Sequence, residues 1–100
     1  MDDYAAITNE MRARPVSSAD LDMIICLLNQ WEGLNKKVGY HGQKEERLRR
    51  KKMVMLKNSV HAILMGYARD ELLLADGRRV IFDPHEDASG QLTDYKMRIL

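Results

Sequence analysis

The sequence predicts a single α+β domain in which three helices precede a small antiparallel β-sheet. Through the first two thirds of the chain, apolar residues recur every three or four positions, the period of a helix. From residue 71 onward they alternate instead, and an Asp-Gly pair separates two apolar runs as in a β-hairpin. One hundred residues suit one domain and are too few for two, so we expect residues 1–100 to form one unit.

The first predicted helix spans residues 4–14. Tyr4, Ile7 and Met11 fall on one side of it at helical spacing. Pro15 is expected to end it, because the residue before a proline is pushed out of the helical region.

The second predicted helix begins at Ser17 or Ser18, since a serine oxygen can accept the free N–H groups of a first helical turn. The apolar stripe that follows consists of Leu21, Ile24, Ile25, Leu28 and Trp31. Gly33 is predicted to end this helix in a left-handed turn. Cys26, the single cysteine, lies inside an apolar run and is expected to be buried and unreactive.

The third predicted helix runs from Gln43 to about Tyr67. Its first half, residues 44–52, is strongly charged and should project into water, whereas residues 53–67 are apolar enough for a core. Four consecutive apolar residues occur at 53–56, and a helix buries at most two or three of them in one direction. The remainder should be exposed, or covered by a partner or by a second copy in a homodimer.

The end of the chain predicts strands. Residues 71–75 and 78–83 read as a β-hairpin with a two-residue Asp-Gly loop, since a type I′ turn needs positive φ at both central positions. That loop pairs Leu73 with Val80. Residues 83–86, Asp-Pro-His-Glu, resemble a short helix start. Residues 93–100 alternate as a half-buried strand that would complete a three-stranded sheet.

The formal net charge of +1 conceals an uneven distribution along the chain. Residues 1–34 hold six carboxylates against two arginines, residues 35–69 hold ten Lys or Arg against two glutamates, and residues 70–94 hold seven carboxylates against two arginines. This pattern predicts segregated surfaces of opposite charge, which steer association with charged partners.

Catalytic and metal-binding motifs are not found. The chain has no Gly-rich phosphate loop and no nucleophile elbow. Its three histidines and Cys26 are too widely spaced for the local ligand pairs of a metal site. We therefore predict a protein that is not an enzyme and carries no metal or cofactor.

A basic run lies on the third predicted helix. Its six cations within nine residues are Lys44, Arg47, Arg49, Arg50, Lys51 and Lys52. Such a run can contact a phosphate backbone, which makes a small nucleic-acid-binding regulator using residues 44–57 the alternative hypothesis. It can equally be a solvated helix end, and the sequence pI of 7.9 is below the value above 9 that is typical of duplex binders.

In its size, its lack of catalytic motifs and its dense acidic patches, the chain resembles the small phage-encoded anti-CRISPR proteins. The resemblance implies an inhibitor that occludes the nucleic-acid-binding surface of a CRISPR complex. The carboxylates that would then stand in for phosphates are Asp2, Asp3, Glu10, Asp20, Asp22, Asp83, Glu86 and Asp87. The basic residues at 35–69 depart from a purely acidic mimic and are suited instead to an acidic protein surface.

These observations predict a non-enzymatic protein-binding module. Its longest apolar run is six residues, far short of the roughly 20 that span a bilayer. No N-terminal segment combines basic residues, an apolar stretch and a small-residue cleavage site. We therefore expect a cytoplasmic protein without membrane association.

Overall fold

The computed structural model describes residues 14–37 and 42–100. In these residues two helices precede a three-stranded sheet: α1 (Ser18–Asn35), α2 (Gln43–Met65), β1 (Glu71–Leu73), β2 (Arg79–Glu86) and β3 (Leu92–Ile99). The strands are antiparallel in the order β1-β2-β3. The predicted α+β class, with helices first and an antiparallel sheet last, is confirmed. The first predicted helix, at residues 4–14, lies almost entirely outside the described residues.

The described residues group into two compact units. One lies within Val16–Ile63 and contains α1 and most of α2, and the other contains residues 14–15 together with Leu64–Leu100 and holds the sheet. The buried apolar residues of the helical unit are Ile24, Leu28, Leu56 and Val60. Those of the sheet unit are Leu64, Tyr67, Leu72, Leu74, Val80, Phe82 and Met97. Each unit thus has its own set of buried side chains.

Helix α1 starts where the sequence predicts and ends later than predicted. Ser17 is the N-cap, with extended backbone, and its Oγ accepts a hydrogen bond from the Asp20 N–H at 3.2 Å. The prediction that Gly33 ends the helix was wrong, because the helix continues to Asn35. Lys36 closes it in the right-handed conformation and donates its N–H to the Glu32 carbonyl, so no left-handed glycine is needed.

The prediction that Cys26 is buried was also wrong. Its side chain is exposed, and its sulfur accepts a hydrogen bond from Gln30 Nε2 at 3.4 Å. The two buried residues of α1 are Ile24 and Leu28, each two positions from Cys26. Two positions correspond to a rotation of roughly 200° about a helix axis, so the thiol points away from the buried side.

Helix α2 ends two residues earlier than predicted, at a turn closed by Ala68. The Ala68 N–H donates to the Met65 carbonyl and the Arg69 N–H to the Leu64 carbonyl, both at 3.0 Å. These are the two hydrogen bonds of a Schellman motif, and Ala68 adopts the left-handed φ of +52° that the motif requires. An alanine therefore stands at the position that glycine usually occupies.

Arg14 contacts the turn that follows the C-terminus of α2. Its Nη2 donates to the Gly66 carbonyl at 2.9 Å, and its guanidinium lies 4.6 Å from the centre of the Tyr67 ring. Arg69 Nη2 in turn donates to the Arg14 carbonyl at 2.9 Å. A cation at this position is favourable because the carbonyls at a helix C-terminus carry partial negative charge.

The first hairpin has a register that differs by one residue from the prediction. Leu72, not Leu73, lies opposite Val80. The loop contains three residues rather than two: the Leu74 N–H donates to the Arg78 carbonyl, and the Gly77 N–H donates to the Leu74 carbonyl. This is a type I turn followed by a left-handed glycine, and Gly77 has φ of +91°.

The one-residue difference has a clear physical reason. A shift of one residue moves every side chain of a strand to the other face of the sheet. In the observed register Leu72 and Leu74 are buried, whereas Leu73 is 68% exposed. The three-residue loop therefore places two leucines, rather than one, among the buried residues of the sheet unit.

The prediction of a helix start at residues 83–86 was wrong, because β2 continues through them to Glu86. Pro84 is tolerated in β2 because its nitrogen, which has no hydrogen to donate, lies where no neighbouring strand needs a hydrogen bond. The Phe82 N–H points toward the β1 side, where it donates to the Asp70 carbonyl, and strand alternation directs the Pro84 nitrogen to the same side, beyond the end of β1. The predicted C-terminal strand is confirmed as β3, which pairs with β2 along its length.

Candidate protein-binding surface

The site is built on α2, one side of which is buried. Leu56, Val60 and Leu64 are buried at four-residue spacing, which defines the inner side of the helix. The opposite side is exposed to solvent. We call it the outward face, and its residues are Lys44, Arg47, Leu48, Lys51, Lys52, Val54, Met55, Asn58, Ser59 and Ala62. All of them belong to the helical unit.

Two of the six predicted cations are paired within α2. Glu46 Oε1 and Oε2 accept hydrogen bonds from Arg49 at 2.6 and 2.9 Å, and Oε1 also accepts one from Arg50 Nε at 3.0 Å. The hydrogen bonds from Arg49, and then the one from Arg50, lower the pKa of Glu46 from 4.5 to about 2. Glu46 therefore neutralises part of the basic run.

Arg49 also has a structural role. Its Nη1 donates to the Leu34 carbonyl of α1 at 2.9 Å and contacts the Met53 sulfur at 3.2 Å. Its side chain is only 21% exposed. The hydrogen bond with Glu46 raises the pKa of Arg49 further, so the guanidinium remains charged. We conclude that Arg49 joins α1 to α2 and does not belong to the outward face.

The other four cations lie on the outward face. Lys44, Arg47, Lys51 and Lys52 are exposed, and none of their side chains makes a hydrogen bond or ion pair with another described residue. Lys44, Arg47 and Lys51 follow one another at helical spacing and so project in similar directions. Four positive charges without neutralising partners in the described part of the chain are thus available on this face.

Apolar side chains are exposed beside these cations. Leu48 is 57% exposed, Met55 60% and Val54 49%. The prediction that part of residues 53–56 is exposed is therefore confirmed. Leu48, Met55 and Ala62 are spaced by seven residues and follow one line along the outward face. This line was not among the features predicted from the sequence, although its seven-residue spacing is visible there.

The predicted acidic residues that the structure describes are divided between the two units. Asp2, Asp3 and Glu10 lie outside the described residues. Asp20 is in the first turn of α1, where its negative charge interacts favourably with the positive end of the helix dipole. Asp22 is exposed two residues later. The other three lie at the far end of the chain, on β2 and the loop that follows it.

Two of those three carboxylates are used within the sheet unit. Asp83 accepts hydrogen bonds from Arg98 Nε at 2.5 Å and Nη2 at 3.3 Å. Asp87 Oδ1 accepts from the Ser89 hydroxyl and from the N–H groups of Ser89 and Gln91. The hydrogen bond from the Ser89 side chain is the main cause that lowers the pKa of Asp87. Only Glu86 is left exposed without such a bond to a described residue.

Charges on the sheet are interleaved rather than segregated. Glu71 pairs with Arg79 and Asp83 with Arg98, and all four side chains lie on the same face of the sheet by strand alternation. This disagrees with the expectation of an acidic surface formed by residues 70–94. Because each of these carboxylates has a cation beside it, the face offers little net charge to a partner.

Neither a metal cluster nor a membrane span is found in the part of the chain that the structure describes. Among residues 14–37 and 42–100, no three His, Cys, Asp or Glu side chains come together so as to hold a metal ion. No helix in the same residues combines the length and the apolar character needed to cross a membrane. Comparison with protein-family models, curated proteins and solved structures gives no match.

Proposed function

We propose that the chain is a non-enzymatic protein-binding module that contacts its partner through the outward face of α2. The observation that supports the proposal is the exposure of Leu48 and Met55, at 57% and 60%, among cations that have no partner in the described residues. Apolar side chains that are exposed together on one face are typical of interaction sites. Methionine suits such a site because its flexible thioether adapts to a partner's shape.

The mixed character of this face favours a protein over a nucleic acid. A phosphate backbone is contacted by cations and hydrogen-bond donors, and it gains little from aliphatic side chains. Here Leu48, Val54 and Met55 occupy the same face as the lysines. A protein surface with carboxylates around an apolar centre can use both kinds of side chain, because interfaces combine an apolar core with a polar rim.

Affinity capture with matched variants tests the proposal. Bait protein is exposed to nuclease-treated bacterial lysate as wild type and as two variants of the outward face, Lys51→Glu and Met55→Asp. The controls carry the same substitutions elsewhere: Met23→Asp at an exposed position of α1 and Lys37→Glu at an exposed position after the end of α1. Circular dichroism establishes that all five proteins are folded.

We expect one defined protein to be retained by the wild type and by both controls and to be lost with both variants of the outward face. Its identity follows from mass spectrometry. Retention that is unaffected by Lys51→Glu and Met55→Asp would contradict the proposed surface. Failure of the wild type to retain any defined protein would count against the function itself.

Nucleic-acid binding is the second candidate function. The observation in its favour is the group of four unpaired cations, of which Lys44, Arg47 and Lys51 share one side of α2. Anisotropy of labelled DNA and RNA at low salt distinguishes the two functions. A shift that weakens with salt, and whose salt dependence becomes less steep in Lys51→Glu, would establish this candidate. No shift at low salt would eliminate it.

Inhibition of a CRISPR complex is the specific form of the proposal that follows from the resemblance to anti-CRISPR proteins, and it includes a cytoplasmic location. Two of the described carboxylates, Asp83 and Asp87, are hydrogen-bonded within the sheet unit, which makes a phosphate mimic less well supported. The exposed cations of the outward face suit a contact with an acidic protein surface better. DNA cleavage by purified CRISPR complexes is the relevant measurement. Inhibition by the wild type but not by Met55→Asp would support this form, and unchanged cleavage by every complex tested would oppose it.

A further inference from the structure

We infer that the partner surface is an acidic amphipathic helix that lies along α2 as the second helix of a short two-helix seam. The inference rests on the proposed function and adds the chemistry and secondary structure of the partner. It follows from three properties of the outward face: the spacing of its apolar residues, the position of its cations and the lack of carboxylates between Leu48 and Ala62.

The apolar spacing matches a helical partner. Leu48, Met55 and Ala62 recur every seven residues, which is the repeat that keeps two helices in contact along their length. From Leu48 to Ala62 the line is roughly 21 Å long at 1.5 Å per residue. The side chains at its ends and centre are exposed. A strand or irregular loop would not match this repeat over the same distance.

The cations flank the first half of this line on both sides. Viewed down the helix, Lys51 lies on one side of the line from Leu48 to Met55 and Lys52 on the other, because consecutive residues are about 100° apart. In the heptad of a two-helix seam, one of these lysines occupies the second seam position and the other a flanking position, and flanking positions pair with opposite charges of the partner. We therefore expect carboxylates beside the partner's apolar stripe.

The second half of the line has uncharged flanks. Asn58 and Ser59 stand where Lys51 and Lys52 stand one heptad earlier. Ser59 directs its hydroxyl back to the Met55 carbonyl at 2.9 Å. The positive charge is thus concentrated near the N-terminal half of α2. A partner helix with its carboxylates at one end can satisfy this arrangement in only one orientation.

A second copy of the chain does not provide the required chemistry through this face. From Leu48 to Ala62 the outward face contains no carboxylate. A parallel pairing would place Lys51 against the same lysine of the copy, and an antiparallel pairing would place the lysines against uncharged residues. Like charges opposed across an interface weaken binding and suppress the wrong partner.

Three synthetic helical peptides of 21 residues test the inference. The first has leucine at the seam positions and glutamate at the flanking positions, the second replaces the glutamates with lysine, and the third has the composition of the first in scrambled order. Each is titrated into the full chain and followed by amide chemical-shift mapping and calorimetry. Met55→Asp and Lys52→Glu are compared with the control Met23→Asp.

The acidic amphipathic peptide is expected to bind, with shifts centred on residues 44–62. The lysine peptide should bind at least about tenfold more weakly because like charges are then opposed. The scrambled peptide should not bind, Met55→Asp should abolish binding, and Lys52→Glu should weaken it, whereas Met23→Asp should leave it unchanged.

Three results of the peptide titrations would overturn the inference. They are the lack of any shift at millimolar acidic peptide, shifts that lie outside residues 44–62, and equal binding of the ordered and scrambled peptides. A dimer of the free chain in sedimentation experiments that dissociates on Met55→Asp would also overturn it, in favour of a second copy. Loss of a captured protein with Met55→Asp, together with no peptide binding, would leave the proposed function in place and reject the helical partner.

Discussion

The guanidinium of Arg49 donates two hydrogen bonds to the carboxylate of Glu46, one turn earlier on α2, and a third to the Leu34 carbonyl in the last turn of α1. The carbonyls of a last helical turn lack partners within their own helix. Glu46 therefore orients the arginine that connects the two helices. The same pairing removes Arg49 from the charges available to a partner.

Glu46→Gln should lower the stability of the chain at neutral pH and flatten its acid dependence. The pKa of Glu46 is about 2 when folded and near its usual 4.5 when unfolded. A depressed folded pKa contributes stability that is fully present above pH 4.5 and is lost as the pH falls through about 2. Thermal unfolding followed by circular dichroism from pH 7 to pH 2 measures the difference between variant and wild type.

Glu45→Gln is the matched control, because Glu45 is the neighbouring glutamate and is exposed. We expect the melting temperature of this control to follow that of the wild type across the pH range more closely. Superimposable curves for the two variants would mean that the Glu46–Arg49 pair contributes nothing measurable.

Leu28→Ala should destabilise the helical unit by about 2–5 kcal/mol, because Leu28 is fully buried and the substitution leaves a cavity. Met23→Ala on the same helix should change the free energy of unfolding by less than about 0.5 kcal/mol, because Met23 is exposed. Urea unfolding measured at 222 nm gives both values. Equal effects at the two positions would be inconsistent with the buried side of α1.

Leu72→Ala and Leu73→Ala test the register of the first hairpin. Leu72 is buried opposite Val80, so its truncation should lower the free energy of unfolding by about 2–5 kcal/mol. Leu73 is exposed, and its truncation should have an effect below about 0.5 kcal/mol. Denaturant unfolding of both variants provides the comparison. The reverse order of the two effects would favour the two-residue loop.

The same substitution, glycine to alanine, should have opposite effects at two positions. At Gly33, inside α1 and with no atom beyond its chain neighbours and its own helical backbone within 4 Å of an added Cβ, alanine should stabilise the chain by about 0.5–1 kcal/mol. At Gly77 the left-handed φ of +91° should make alanine destabilising by about 1 kcal/mol or more. Melting temperatures that move in the same direction would contradict either the helix end or the turn.

The candidate site was predictable in composition but not in detail. All four unpaired cations of the outward face belong to the basic run that the sequence shows. Which cations remain unpaired depends on Glu46, because its two oxygens can accept hydrogen bonds from more than one arginine within a helical turn. In the structure they accept from Arg49 and Arg50. The acidic residues Asp83 and Asp87 were expected to face a partner, and their use by Arg98 and Ser89 depends on strand pairing and on the loop between the strands.

Local signals in the sequence determined the α+β class, the Ser17 cap, the start of α2 and the C-terminal strand, because each depends on side chains and backbone groups within a few residues of one another. The tertiary structure decided the hairpin register, the continuation of β2 through Pro84 and the exposed side of α2. Each of these depends on which alternative buries the most apolar surface and pairs the most backbone groups between different segments of the chain. These contributions to stability arise only when the segments pack against one another in the folded chain.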